Sequence, residues 1–397
     1  MQVAILGGGV AGLASAIALK QLGMDVVVYE RRAEIANLGA GIVCWPNACF
    51  VLSEFGLLDE VRSCSQSIFA MRRVSQQGEA LGTLDVRLLS EQMQYPSRAI
   101  LRADLMRILQ RQAMELEIPI RFEHAVVEIS TAADDLISVR FDNGLQIQAD
   151  LVLGAEGRMK SIARQFVLGE NRPNYQRFVN WLGIYEGPIS SDAQTSVSDF
   201  WGVGARFGFV PVAADKAYWA GGLAVPSVTT SGGIDPWEEV ATLFADWPDP
   251  IPQWIAASDQ ASIRKIFVHD LDPINQWSRD AVLLIGDAAH AALPTSGQGA
   301  CQALEDAWHL AKAIERNAAS ISAALDDFCE RRIGKTQNIT MAARGLADSL
   351  FHCDAQACRE RNRRSQQSDY RSVALGIAEF WSEGLPIGVA PSSSPAP

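Results

Sequence analysis

Several absences narrow the reading before any motif is considered. No apolar run reaches the roughly 18 residues that a membrane-spanning helix needs, so no membrane partner is expected. Positive charge is in deficit: Lys+Arg 34 against Asp+Glu 46 leaves a formal charge of −12 over 397 residues. A net acidic surface repels polyanions, so nucleic acid is not an expected partner either. Cysteine is sparse, with 7 residues and no tight spacing, which excludes a disulfide framework and fits a reducing, cytoplasmic setting. Metal-ligand spacing is also missing. Cys44/Cys49 and Cys353/Cys358 are too widely set, and His124, His269, His290, His309 and His352 are scattered. There are no internal repeats.

What is present suits a globular protein. Hydrophobic residues make up 48% and charged residues 20%, enough for a sizeable core, and the length suggests two to three domains. The amino-terminal MQVAILGGGVAGLASAIALKQLG imitates a signal peptide, with Ala14-Ser15-Ala16 as a mock cleavage point. It lacks a cationic start and glycines interrupt it, so it reads as folded structure.

The first thirty residues read as strand, tight turn, helix, strand. Val3 to Leu6 is a short buried-strand run, Ala11 to Leu22 has helical spacing capped at Gly23, and Met24 to Tyr29 is rich in β-branched residues. That βαβ start predicts a Rossmann-like, doubly wound α/β sheet. A β pattern follows from Phe69 to about Tyr95, helical spacing from Ala103 to Leu116, and extended runs at Ile120 to Ser130 and Ile137 to Phe141, with Asn143-Gly144 as a hairpin signal. Asp150 to Ala155 and Ala281 to Ile285 are further parallel-strand candidates. Between Asn174 and Val268 the composition shifts toward strands and tryptophan (Trp181, Trp201, Trp219, Trp237, Trp247, Trp254), the mark of an inserted β-rich unit. A helix-rich segment begins near Gln298.

Gly7-x-Gly9-x-x-Gly12 lies after the first strand and opens the helix, where a dinucleotide fingerprint belongs. Gly7 permits the turn, Gly9 lets backbone approach a pyrophosphate, and Gly12 lets helix and strand pack closely. Val10 and Ala11 sit in the same turn, and the helix N-terminus offers N–H groups to phosphate. Glu30, followed by Arg31, ends the second strand where a carboxylate can accept from a ribose hydroxyl. No second fingerprint exists: Gly202, Gly204 and Gly208 have the wrong spacing, so a nicotinamide donor has no Rossmann domain of its own here.

A second constellation lies far along the chain. Asp287 and His290 follow the AVLLI strand, and Pro294 and Gly297-Gln298-Gly299-Ala300 precede an amphipathic helix. GDAAHAALPTSGQGACQALEDA resembles the second flavin motif of the FAD-dependent aromatic hydroxylases, the para-hydroxybenzoate-hydroxylase-like monooxygenases. A carboxylate at a strand end can bind ribityl hydroxyls, and the amides of Gly297 to Gly299 can stabilise negative charge on a reduced flavin. One elongated cofactor, FAD, accounts for both constellations.

The resemblance extends further. Gly39-Ala40-Gly41-Ile42 and Trp45-Pro46-Asn47-Ala48 match the segment that follows the acidic residue in this family. Arg102 matches an arginine that contacts the flavin nucleotide, with Arg98 as a competing register, and Val126, Glu156 and Gly157 join the implied FAD contacts. A third motif departs from the pattern. Family members carry Ala-Asp-Gly with Ser four and Arg seven residues after the Asp, whereas this chain has Ala155-Glu156-Gly157 and one extra residue before Ser161 and Arg164. His290 is expected to be structural. Arg359, Arg361, Arg363, Arg364 and Arg371 read as a solvated helix face or a subunit contact.

By this resemblance, NAD(P)H reduces FAD, the reduced flavin adds O2 as a C4a-hydroperoxide, and the distal oxygen passes to a small aromatic or heteroaromatic substrate. Pro294 and the turn after it would lie beside the isoalloxazine. Arg206 and Tyr218, on neighbouring antiparallel strands with Phe207, Phe209 and Trp219 nearby, resemble an arginine–tyrosine pair that bacterial FAD-dependent urate hydroxylases use near their substrate. Similar spacing occurs in quinolone hydroxylases, and a structural cross-strand pair is the competing reading. The expected division is discontinuous. Residues 1–68, 98–173 and 276–350 form the FAD-binding domain, 69–97 and 174–275 a β-rich substrate domain, 351–389 a C-terminal helical segment and 390–397 a disordered tail. The chain is expected to be a monomer or homodimer. An FAD-dependent reductase or oxidase that moves only hydride, a halogenase lacking its signature motif, and a non-catalytic flavin sensor remain alternatives.

Overall fold

The computed structural model describes residues 1–35, 41–132, 135–228 and 234–388. Contacts divide the chain into two compact units: Met1–Leu38, Arg102–Gln176 and Val268–Ala347, then Gly39–Leu101, Arg177–Phe267 and Asp348–Pro397.

The first unit is built on a 6-stranded sheet in the order Ser278–Arg279, Val282–Leu284, Leu151–Gly154, Gln2–Leu6, Asp25–Tyr29, Ile120–Arg121. All pairings are parallel except the edge pair of Ser278–Arg279 with Val282–Leu284. Val3 to Leu6 and Leu151 to Leu153 are buried on both faces, which is why these strands read as unbroken apolar runs. Helix Val10–Gln21 is alanine-rich and packs against helix Gly299–Arg316. Its end is capped by Gly23 at φ +78°, a conformation that favours glycine. Strands Val126–Thr131, Ile137–Phe141 and Gln146–Ala149 form a separate antiparallel sheet, turning at Asn143-Gly144.

A buried ionic network locks helix Gly299–Arg316 to helix Ile321–Leu350. Arg332 donates to Asp306 at 2.8 Å, to Glu305 at 2.7 Å and to the Gln302 side chain at 2.7 Å, while Lys335 donates to Glu305 at 2.9 Å. Asp306 Oδ2 also accepts from the Gly286 N–H at 2.8 Å and faces His290 Nε2 at 2.6 Å. Burial pushes the Asp306 carboxyl up, but His290, Arg332 and the Gly286 N–H outweigh it and hold the group well below the usual carboxylate range. His290 stacks on Trp277, with ring centroids 5.1 Å apart.

The second unit centres on a 7-stranded sheet: Arg264–Asp270, Asn174–Glu186, Lys216–Ala224, Ala205–Ala213, Ser196–Trp201, Ala70–Ser75, Ala80–Asp85. Its two faces differ because alternate side chains point opposite ways. Phe207, Phe209, Trp181 and Trp219 turn inward with Val240, Phe244 and Trp254 of the helices Pro236–Leu243 and Ile251–Ala256. The Phe209 and Trp254 rings stack at 3.6 Å. A 3-stranded sheet pairs Gly41–Cys44 with Arg98–Leu101 and the latter with Gln66–Ser67.

Three expectations change. The β pattern from 69 to 95 ends early, because Asp85 accepts from Arg87 N–H at 3.0 Å and opens helix Val86–Met93, which buries Val86, Leu89 and Met93 at helical spacing. Residues 39–68 and 98–101 group with the second unit, not with the FAD-binding domain, since Gly41–Cys44 is zipped to Arg98–Leu101. The expected separate segment 351–389 is likewise part of that unit. Its helices Ala355–Gln366 and Tyr370–Ser382 pack on Ala80–Asp85, with the Tyr370 ring 2.1 Å from where a Gly82 Cβ would stand. Of the arginines in that segment, Arg361 is buried and donates to the carbonyls of Ser349 at 3.0 Å and Gly202 at 3.1 Å. The proposed tail, 390–397, lies outside the described residues. Among the described residues no helix is long and apolar enough to cross a membrane.

Replacing Arg332 by Met removes the guanidinium that Glu305 and Asp306 share and should cost about 3–5 kcal/mol in chemical denaturation. Asp306 adds a pH signature. Its folded-state carboxyl is depressed, so its contribution is complete above the unfolded value of about 3.9 and is lost as pH falls below that. Acid unfolding of the wild type should therefore steepen below about pH 4, and Asp306→Asn should flatten that limb. An unchanged limb in the variant would move the effect to other carboxylates.

Candidate functional site

At the carboxyl ends of the parallel strands, a cavity of about 320 Å³ is lined by Gly7, Gly9, Glu30, Arg31, Arg102, Val126, Glu156 and Gly157, together with Tyr29, Arg32, His124 and Lys160. Its shape comes from backbones in close approach. A Cβ on Gly12 would fall 1.9 Å from the Gly7 carbonyl oxygen, and one on Gly7, at φ +113°, would fall 2.4 Å from that of Ala155. Around Gly9, by contrast, no atom lies within 4 Å of a Cβ position, so the backbone faces open space. An open glycine at the start of a 12-residue helix, with N–H groups aimed outward, is a cradle for phosphate. Those residues fit a dinucleotide.

Glu30 is buried and partly committed: Oε2 accepts from the Gly8 N–H at 2.9 Å and Oε1 from Arg32 N–H at 3.0 Å. Each oxygen keeps a second lone pair for a hydroxyl donor. Arg102 also borders the cavity. Burial lowers its guanidinium from the usual value, with Asp287 acting the other way. Arg98, the competing register, is tied within the second unit to Ser65 Oγ at 2.9 Å, the Arg62 carbonyl at 2.8 Å and Ser67 Oγ, whereas Arg102 lines the cavity.

The departing loop is explained by Glu156. Its carboxylate accepts from Ile162 N–H at 3.0 Å, Ala163 N–H at 2.9 Å and Ser161 Oγ at 2.9 Å. It therefore braces the start of the following helix. An Asp at this position would stop a methylene short of these three donors. Burial raises the Glu156 carboxyl, opposed by those hydrogen bonds. Arg164 then bonds the carbonyls of Ala288 at 2.9 Å and Ala289 at 3.3 Å, and Arg158 donates to Asp287 at 3.0 Å. The loop thus reaches the second motif through Arg164, the arginine of the third motif, and through Arg158, which motif matching alone did not single out.

The second motif is drawn to the first by another close contact. Gly286, at φ +55°, would place a Cβ 2.6 Å from that of Ala11, which brings Asp287 next to the fingerprint helix that starts at Val10. Pro294 begins a short 3-10 turn ending at Gly297, at φ +62°; Gln298 caps, and Gly299 and Ala300 open, helix Gly299–Arg316. Nothing lies within 4 Å of a Gly299 Cβ position, so this N-terminal backbone is accessible.

Gly41, Ile42, Arg206 and Tyr218 belong to the second unit. Tyr218 and Arg206 share a sheet face but are not cross-strand partners, since Tyr218 pairs with Val210 and Arg206 with Gly222. Phe207, Phe209 and Trp219 are not their neighbours: strand alternation turns these to the opposite, core-facing side. The Tyr218 ring rests on Gly41, whose Cβ would fall 1.6 Å from it. Burial pushes the Tyr218 phenol up to about 12, with Arg206 acting the other way. Arg206 Nε donates to Asp199 Oδ1 at 2.6 Å, a partner the sequence reading did not name.

The parallel sheet with its glycine turn, open helix starts and strand-end carboxylates defines a protein of the dinucleotide-binding class. Residues 1–341 match the model of the FAD binding domain family, and the chain belongs to that family. It is 30% identical over 375 residues to an aurachin C monooxygenase/isomerase of Stigmatella aurantiaca, covering 93% of this chain and 95% of that protein. It is 30% identical over 360 residues to an FAD-dependent urate hydroxylase of Klebsiella pneumoniae, covering 90% and 92% respectively. The crystal structure of Klebsiella pneumoniae HpxO complexed with FAD and uric acid matches with a TM-score of 0.87 at 28% identity and covers 97% of both chains. The chain is accordingly an FAD-dependent monooxygenase.

Shortening Glu156 to Asp should withdraw the carboxylate from its three donors, cost about 1–3 kcal/mol of stability and weaken FAD retention. Deleting Met159 in that variant should restore both. Thermal midpoints and flavin-fluorescence titrations check this; no recovery on deletion would break the link between side-chain length and the inserted residue.

Proposed function

We propose that the chain uses NAD(P)H and O2 to hydroxylate a small planar heteroaromatic or aromatic compound, with Arg206 and Tyr218 meeting the substrate. The observation that carries this reading is the face shared by Arg206 and Tyr218. It holds an arginine whose terminal nitrogens have no acceptor among the described residues and a phenol kept protonated by burial. These groups offer directed donors to carbonyl and ring-nitrogen acceptors, the polar edge of a heteroaromatic ring. The K. pneumoniae relative named for urate is a precedent for such a substrate.

FAD, when bound, supplies hydride acceptance and oxygen activation. In this reading the turn at Gly7 to Gly12 holds its pyrophosphate, Glu30 accepts from the adenosine ribose, and Arg102 contacts the nucleotide. Val126 and Gly157 line the same cavity. Asp287 accepts from the ribityl chain. The N–H groups at Gly297 to Ala300 stabilise negative charge by about 0.3–1 kcal/mol per interaction, and Pro294 shields the turn from water. Gly41 and Ile42 are assigned to the cofactor by the resemblance, and Glu156 acts through the loop it braces. Thiols that are all free support a reducing cytoplasmic setting.

The test is a screen of FAD-loaded protein for compounds, uric acid first, that accelerate NAD(P)H oxidation, followed by product mass under 18O2. One 18O atom in the product is expected. Accelerated oxidation without incorporation would leave a hydride-transfer enzyme, and no acceleration by any compound would leave a flavin sensor. Tyr218→Phe should lower product formed per NAD(P)H by about tenfold or more, with hydrogen peroxide making up the difference.

A further inference from the structure

The sheet of the second unit carries a polar arrangement around Arg206 that the family resemblance does not account for. Asp199 Oδ1 accepts from Arg206 Nε at 2.6 Å, and its Oδ2 accepts from the Trp201 indole Nε1 at 2.8 Å. Both members of the ion pair are largely enclosed, with side-chain exposures of 22% and 11%. The Trp201 ring is itself flanked by Arg73 and Arg361, each 5.3 Å from its centroid, so the indole donor is held in place. Asp199 pairs with Gly208 across the ladder and shares the face of Arg206 and Tyr218.

The guanidinium bends along that face, and its Nη2 lies 3.5 Å from where a Gly208 Cβ would stand. A guanidinium has five N–H donors. One is committed to Asp199, and no described residue accepts from Nη1 or Nη2. Along the face, the Gly208–Ala220 pair separates Arg206 from the Val210–Tyr218 pair. Successive pairs on one face are about 7 Å apart.

We propose that Asp199 is a positioning residue for the substrate: by fixing Arg206 over Gly208, it presents the two terminal nitrogens as a fork to adjacent acceptors on a planar heteroaromatic ring placed between Arg206 and Tyr218. The proposal rests on the reading that Arg206 and Tyr218 meet the substrate. Because the arginine is already ion-paired, a further carboxylate gains less from charge than it would at an unpaired arginine, while the fork still matches paired carbonyl and ring-nitrogen acceptors.

The experiment uses the FAD-loaded enzyme and its D199A, D199N, R206Q and D199A/R206Q variants, with thermal midpoint and flavin content measured first to confirm folding. Binding of uric acid, xanthine, 4-hydroxyquinoline and benzoate is read from the change in the flavin spectrum, and coupling from hydrogen peroxide released per NAD(P)H. D199A should weaken the heteroaromatic probes about tenfold, weaken benzoate less, and raise peroxide. D199N, which keeps one acceptor, should fall between. In the R206Q background the Asp199 change should add nothing. If R206Q weakens binding while D199A does not, or if the two losses simply add, Asp199 does not act through Arg206 and the proposal fails while the substrate reading stands. If no probe perturbs the wild-type spectrum, or R206Q binds as the wild type does, the substrate reading fails and the proposal with it.

Discussion

The nucleotide-binding unit depends on backbones that meet where a Cβ would collide. Gly12 against the Gly7 carbonyl at 1.9 Å, Gly7 against Ala155 at 2.4 Å and Gly286 against Ala11 at 2.6 Å are three such meetings. Together they bring the first strand, the fingerprint helix and the strands ending at Gly154 and Leu284 so close that none of the three glycines has room for a Cβ. Any larger residue would have to push a strand or helix aside, and interiors at crystal-like density resist that. The close approach is also what exposes the helix N-terminus: with no side chain at Gly9, the amides face the cavity and not a neighbour. Geometry and phosphate chemistry therefore share one cause.

Around that frame, charge is managed in two different ways. Deep in the first unit, Arg332 and Lys335 are matched against Glu305 and Asp306 with almost every donor and acceptor used. Such a network adds little net stability over an apolar core but tolerates no missing member. It is anchored to the Gly286 N–H, so the strand end bearing Asp287 inherits its rigidity. At the cavity rim the charges face open volume. Glu30 keeps lone pairs, Arg102 and Lys160 line the cavity, and Arg158 reaches Asp287 from the loop that Glu156 braces. The contrast is between a closed polar core that orients and an open one that can accept a nucleotide.

Much of this was legible residue by residue. The βαβ start was readable because buried parallel strands leave unbroken apolar runs and because glycines at fixed spacing have few other uses. The second motif was readable from its resemblance to aromatic hydroxylases, which the family match and the urate-hydroxylase relatives bear out. Elsewhere local pattern misled. Residues 86–93 read as strand because alternation and helical spacing coincide over so short a stretch, and an Asp cap decided between them. Phe207, Phe209 and Trp219 were grouped with Arg206 and Tyr218 by proximity in sequence, although a period of two sends them to opposite faces. The departure at Glu156 could be seen, but not which groups its carboxylate holds, since that depends on where the Ile162 and Ala163 amides come to rest.

The amino-acid order alone determined the strands that must be buried, the turn that must be glycine, and the residue types able to hold a flavin nucleotide, because these follow from local sterics and from side-chain chemistry. Only the tertiary structure decided that Gly39–Leu101 joins the second unit, that Arg102 and not Arg98 borders the cavity, and that Asp199 takes hold of Arg206. Each of these hinges on a partner distant in the chain or displaced across a ladder, and pairing register is a property of the whole sheet that no single segment encodes.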